Sequence, residues 1–375
     1  MSKTSIDSTN SPSKTTATTK QYSRSYLPTL DGWRALAIGA VIVHHYLRLL
    51  LPPGEEWRFD PGQIGVIVFF VISGFLITTL LLEERSTKGR IALGAFYFRR
   101  AFRILPPAFA YLATLAALDG FGVIHVPGRS LSACLLFWRN WFQDDWYTGH
   151  FWSLSIEEQF YLAMPMLLIV ARSDARAMRF CLLAIFGLLG WNSLNGRLDL
   201  APGLWSRTDR WAGMLLWGVL TALLVRRESW RAQITRIASS ASIMCLLFVV
   251  LFSYYYSYPF RGLVLPLAIS AMLASAVHAR QSFIFCILET PLLRWIGRLS
   301  YSLYLWQQLF LVATPLPYPF PIDPHRHPYF PLLGALSLAS ASRYIIEKPM
   351  IEIGRRCLSR ATRHKQDVPS ETRVG

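Results

Sequence analysis

Charge is what this sequence has too little of. Only 16% of its 375 residues are Asp, Glu, Lys or Arg, against about 25% in an ordinary soluble domain. Acid is the scarcer sign, with 22 carboxylates facing 38 cations. Cysteine is sparse too: Cys134, Cys181, Cys245, Cys286 and Cys357 are odd in number and scattered. Without a C-x-x-C pair or a Cys/His cluster, neither a disulfide framework nor a zinc site is indicated, and no metal is expected. A G-x-S-x-G elbow, a P-loop and a dinucleotide fingerprint are also missing. Residues 1–25, rich in Ser and Thr, lack the apolar core of a signal peptide and read as a disordered tail.

What the chain has instead is apolar length. Hydrophobic residues make up 53% of it and the mean hydropathy is positive. Repeated long apolar runs predict an all-α, polytopic integral membrane bundle of about ten transmembrane helices. They fall near 33–51, 62–82, 104–124, 152–171, 178–194, 209–225, 237–256, 260–279, 295–315 and 328–346. The stretch 131–142 is apolar but too brief to cross. The expected organisation is a cytoplasmic tail (1–25), a transmembrane domain (26–350) and a basic cytoplasmic tail (351–375). Basic residues set the orientation: 29 of the 38 Lys and Arg fall on the side that holds both termini. By the positive-inside rule that side is the cytoplasm. The net charge of +16 then orients the protein and meets anionic lipid, with no need for nucleic acid.

Polar residues stand out against this background. In LDGWRALAIGAVIVHHYLRLL, residues 30–50, Arg34 and His45 are eleven positions apart. At 100° per residue both side chains share one helix face, separated by a rise of roughly 16 Å. His44 points about 100° away. An imidazole inside a span is costly and marks either function or hydrogen-bonded glue between helices. Asp31 lies just outside this face at the cytoplasmic boundary.

Two further stretches carry charge. FYFRRAFRILPP, residues 96–107, reads as a cytoplasmic loop in which Arg100 and Arg103 would share a helical face. Paired guanidiniums can cradle a phosphate, although basic residues beside a span also serve as orientation signals. HFWSLSIEEQFYLAMPMLL, residues 150–168, sets Ser153, Ser155, Glu157, Glu158 and Gln159 at the outer mouth of a span. Glu157 is expected to fix the His45 tautomer or to place a substrate hydroxyl; a glutamate there would equally suit a helix N-terminus. Ser73-Gly74 reads as a close packing point. His125, His150, His325 and His327 read as outer-loop residues without ligand spacing.

The stretches at 30–45, 69–78 (FFVISGFLIT), 96–106, 151–162, 300–306 (SYSLYLW) and 343–349 (RYIIEKP), in that order, resemble the membrane-bound acyltransferase 3 family of bacteria. The resemblance implies an inner-membrane O-acyltransferase. It would take an acyl group, commonly acetyl, from cytoplasmic acyl-CoA to a hydroxyl of a carbohydrate or glycosylated acceptor. It implies His45 as the catalytic base with Arg34 and Glu157 beside it, and Arg100, Arg103 and Arg34 on the CoA phosphates. Asp31, Ser153, Tyr301 and Trp306 are the expected substrate-binding positions. The chain ends shortly after its last span, so the stand-alone form is expected. Two departures from the family pattern are Ile67, where a polar residue is common, and Gln307, where a histidine is common. The rival expectation is a multi-pass carrier or flippase for a polar or glycolipid substrate, since buried polar residues line transport pathways as well.

Overall fold

The computed structural model describes residues 27–51, 60–142, 145–198, 205–237, 260–278, 283–312 and 318–367, with 242, 245–247 and 249–250. These residues form helices and turns, and no strand occurs among them. The helices are α1 (Pro28–Leu50), α2 (Pro61–Lys88), α3 (Leu93–Gly120), α4 (Gly128–Leu135), α5 (Phe151–Ala171), α6 (Asp174–Leu198) and α7 (Thr208–Val225). They continue as α8 (Glu228–Ile237), α9 (Phe260–His278), α10 (Phe283–Leu288), α11 (Pro291–Phe310), α12 (Tyr329–Ala341) and α13 (Lys348–Asp367). A π turn, Ser342–Glu347, joins the last two. Helices thus occupy nine of the ten expected stretches; of the remaining one, 237–256, most residues lie outside those described, and the tail 1–25 lies wholly outside them.

Local chemistry explains where the helices start and stop. Pro28, Pro61 and Pro291 open α1, α2 and α11, where a missing N–H costs nothing. Asp60 caps α2 by accepting from the Gln63 N–H at 3.0 Å. Gly89 closes the same helix in the left-handed region, with φ 69°.

Four helices, α2, α3, α5 and α6, are long and apolar enough to cross a membrane. Of the α2 apolar stretch 67% is buried, against 22% for α6, so α2 is central and α6 peripheral. Large apolar side chains on α5 and α6, such as Leu162, Val170, Leu183 and Phe186, face outward. That is where a bilayer would cover them. The main helix interfaces are α2 with α7, α1 with α11, and α1 with α2. Small residues allow the first two. A Cβ on Gly74 would lie 2.0 Å from the Leu215 carbonyl oxygen, and one on Gly218 2.1 Å from that of Val71. The expected packing role of Gly74 is thereby met. A Cβ on Gly297 would fall 1.8 Å from the Asp31 carbonyl oxygen, which locks the start of α11 against the start of α1.

One expectation needs correction. Residues 96–107 are not a loop: they form the first turns of α3, which continues through Pro106 and Pro107. Pro106 and Pro107 remove the donors that would serve the Phe102 and Arg103 carbonyls, and a side chain from a neighbouring helix bonds the next carbonyl along. The Tyr301 hydroxyl donates to the Ile104 carbonyl at 2.7 Å.

Gly74→Val or Gly218→Val is expected to destabilise the α2–α7 crossing by about 1–3 kcal/mol through overpacking. Thermal unfolding in detergent, followed by tryptophan fluorescence, measures it. Gly190→Ala on α6, where a Cβ would meet nothing within 4 Å, should leave the midpoint unchanged or slightly raised.

Candidate functional site

Polar groups gather at two levels along α1. Around its first turns, Arg34 lies 3.7 Å from Asp31, itself buried. From α3, Arg100 and Arg103 turn inward, so that Arg34, Arg100 and Arg103 stand within electrostatic reach of one another and of Tyr161. The Arg100 guanidinium sits 3.5 Å over the Tyr161 ring centroid, a cation–π contact, and its buried Nε has no hydrogen-bond partner among the described residues. Their neighbour Arg99 instead points away, 3.8 Å from Glu84. Position 99 lies 100° around the helix from position 100, so Arg99 meets Glu84 of α2 while Arg100 faces Tyr161.

Carboxylates border these cations. Glu157 on α5 accepts from the Ser73 hydroxyl at 2.7 Å and faces Arg100 and Arg34. Glu347, in the π turn, is 1% exposed; it accepts from Ser302 at 2.9 Å and from Arg343. Arg103 lies within its reach. This group can offer guanidinium donors to an anion entering between α1, α3 and α5.

The second level lies eleven residues further along α1. The His45 Nδ1 is 2.7 Å from the Gln307 Oε1 of α11. Gln307 Nε2 donates to the Gln308 Oε1 at 3.0 Å, and Gln308 Nε2 donates to the Trp146 carbonyl at 2.8 Å. In return the Trp146 indole N–H donates to the Gln308 carbonyl at 3.0 Å. The Trp146 ring also stands edge-on to the His45 imidazole, 5.4 Å between centroids. His44 takes a different direction, its Nδ1 3.0 Å from the Asp60 Oδ1, as the 100° step between adjacent residues requires.

A buried ion pair supports the segment that carries Trp146. Arg139, 1% exposed, reaches the Asp145 carboxylate at 3.2 Å and the Thr148 hydroxyl at 2.8 Å. Its backbone N–H donates to the Ser155 hydroxyl at 3.1 Å. His150 is buried beside this segment, and neither of its ring nitrogens has a hydrogen-bond partner among the described residues. It lies within electrostatic reach of His45 and Arg139.

The structure therefore separates residues that sequence reasoning had joined. Arg34, Arg100, Arg103, Asp31 and Glu157 come together, whereas Glu157 does not pair with His45. It begins two turns into α5 and its bond to Ser73 holds it at the arginine level. The place expected for Glu157 beside the imidazole belongs to Gln307. Ser153 and Tyr304 share a 2.6 Å hydroxyl contact in which one of the two donates, and the other has its proton for the His150 carbonyl, 3.2 Å from Ser153 and 3.1 Å from Tyr304. With Tyr301 bound to α3, these groups tie α11 to its neighbours. Trp306 is buried with its ring edge-on to Tyr111, and its indole nitrogen has no hydrogen-bond partner among the described residues. Sequence reading missed Trp146, Gln308 and Asp60, and it set His150 aside as a loop residue. The one available signal was Gln307, a polar residue inside an apolar stretch and a departure from the family pattern.

Among the described residues, then, the fold is all-helical, with four helices able to span a membrane and two polar levels on its first helix. A family model described as an acyltransferase domain matches residues 27–342. The chain belongs to that family, the acyltransferase 3 family. It is 32% identical over 329 residues to a peptidoglycan O-acetyltransferase of Listeria monocytogenes, covering 79% of this chain and 51% of that one. It is 29% identical over 376 residues to a Bacillus subtilis protein whose name as a peptidoglycan O-acetyltransferase is provisional, covering 89% of this chain and 56% of that one. The chain thus spans about half the length of the curated relatives it matches. No solved structure matches it.

Arg139→Met leaves the Asp145 carboxylate buried without its cation, and about 3–5 kcal/mol of stability should be lost. Adding Asp145→Asn should recover part of that loss. Thermal unfolding of the single and double variants in detergent checks the order; a double variant weaker than Arg139→Met would show that the pair is not coupled in this way.

Proposed function

We propose that this chain transfers an acyl group, acetyl in the first instance, from acyl-CoA at the cytoplasmic face to a carbohydrate hydroxyl arriving from the other side, with His45 as general base. The observation that carries this reading is the imidazole on α1, bonded at Nδ1 and with no hydrogen-bond partner at Nε2 among the described residues, eleven residues from a cluster of inward-facing arginines. Family membership and the O-acetyltransferase names of the relatives support it, and the peptidoglycan in those names makes amino sugar polymers the first acceptors to test.

In this mechanism Arg100 and Arg103, with Arg34, hold the CoA phosphates through paired hydrogen bonds. The rise of roughly 16 Å between Arg34 and His45 is bridged by the extended arm of the donor. His45 accepts the proton of the acceptor hydroxyl at Nε2 as that oxygen attacks the thioester carbonyl. The new C–O bond forms, the C–S bond breaks, and the proton passes from the imidazolium to the departing CoA sulfur. Asp31, 3.7 Å from Arg34, orients that guanidinium. A base kept away from bulk water also protects the thioester from hydrolysis.

Purified wild type and His45→Ala, given labelled acetyl-CoA and candidate glycans, provide the test. Loss of the base should lower transfer by about 10²–10⁴-fold, and equal transfer by both proteins would remove His45 from the chemistry. Arg100→Ala and Arg103→Ala should raise KM for acetyl-CoA with the acceptor KM little changed; the reverse pattern would end their phosphate role. Solute uptake by proteoliposomes in the absence of CoA would favour a carrier instead.

A further inference from the structure

The hydrogen bonds beside His45 have a direction, and it can be read from one end. A main-chain carbonyl only accepts, so the Gln308 side chain must turn its NH₂ toward the Trp146 carbonyl, 2.8 Å away. Gln308 then presents its oxygen to Gln307, which must answer with its own NH₂ at 3.0 Å. Gln307 is left with its oxygen toward His45, at 2.7 Å from Nδ1. An amide oxygen has no proton to give. Nδ1 must therefore be the protonated nitrogen, and Nε2 carries the lone pair. Among the described residues no hydrogen-bond partner is found for Nε2.

We propose that Gln307 is a positioning residue that holds His45 in its Nδ1–H tautomer, so that Nε2 is the proton acceptor. Gln308 and the Trp146 carbonyl orient the Gln307 amide, and the Arg139–Asp145 pair holds the segment that supplies that carbonyl. The assignment of a catalytic consequence rests on the reading of His45 as the base, whereas the tautomer itself does not. An uncharged partner suits this task. It fixes the ring without adding a negative charge that would favour the imidazolium before the acceptor arrives. Other titratable or charged groups face the imidazole from three sides: His44 and Arg48 on α1, Asp60 at the start of α2, and His150 ahead of α5. Asp60 is itself bonded to His44, which leaves Gln307 as the group in direct contact with the His45 ring nitrogen.

Nitrogen-15 NMR of histidine-labelled protein in detergent reads the tautomer directly, with the His45 signal assigned by its loss in His45→Ala. The expected wild-type pattern is a protonated Nδ1 and an unprotonated Nε2. Gln307→Leu should convert it to a mixture or to the opposite tautomer, and Gln308→Leu, which does not touch the imidazole, should do the same in part. A wild-type signal with Nε2 protonated, or one unmoved by Gln307→Leu, overturns the proposal.

Kinetics supply the second arm. Gln307→Leu should lower kcat by about 10- to 100-fold with KM for acetyl-CoA unchanged. Gln307→Glu, which keeps an acceptor at Nδ1, should recover much of kcat while moving the acidic limb of the pH profile upward. The sign follows from the added carboxylate, which stabilises the imidazolium so that the base is lost at higher pH. Equal loss in both variants with an unmoved limb would mean that Gln307 only packs. If the NMR pattern holds while His45→Ala stays active, the tautomer assignment survives and the base reading fails.

Discussion

The carbonyl oxygen of Trp146 can accept a hydrogen bond and can never donate one. That elementary asymmetry runs through two glutamine side chains to an imidazole on another helix. Each link is neutral, so the relay transmits orientation and no net charge. In a low-dielectric interior this matters, because an unpaired amide or a buried carboxylate next to the ring would carry a heavy desolvation cost. The relay satisfies its own polar groups and still leaves one imidazole nitrogen without a hydrogen bond.

Helix packing supplies the frame for that arrangement. The bare backbone at Gly297 lets α11 approach the start of α1 closely. The two helices run in the same direction, from the Gly297–Asp31 contact to the Gln307–His45 bond. Register at one end therefore decides register at the other. Tyr301, one turn beyond Gly297, is bonded to α3 just ahead of its two prolines. The helix bearing Arg100 and Arg103 is tied in this way to the helix bearing Gln307. The two polar levels are separate in space yet fixed relative to each other by the same pair of helices.

Much of this was legible in the amino-acid order, because hydrophobic length and helical period act locally. Apolar runs marked the helices, and the eleven-residue spacing put Arg34 and His45 on one face. The same period put Arg100 and Arg103 on one face and separated His45 from His44. Depth along a neighbouring helix was not legible. Glu157 was expected near His45 because α5 starts at that level, but two turns of rise carry its carboxylate down to Arg100 and Ser73. Nor could sequence show that Pro106 and Pro107 lie within α3, since the Tyr301 hydroxyl beside them comes from about two hundred positions away. Gln307 looked like a missing histidine, and only its contact with the ring gives it a role of its own.

The family resemblance and the physical reading meet at a division of labour. Charged groups collect around the beginning of α1, where paired guanidiniums suit a phosphorylated donor. Toward its far end the imidazole is in direct contact with one amide and one indole, and His44, Arg48, Asp60 and His150 are the titratable or charged groups around it. A proton acceptor needs that contrast. Close guanidiniums would hold the imidazole neutral but compete for the acyl oxygen, whereas close carboxylates would favour its protonated form. In the proposed reaction, three helical turns of apolar α1 between the two levels would separate anion binding from proton transfer, and one helix would hold both in register.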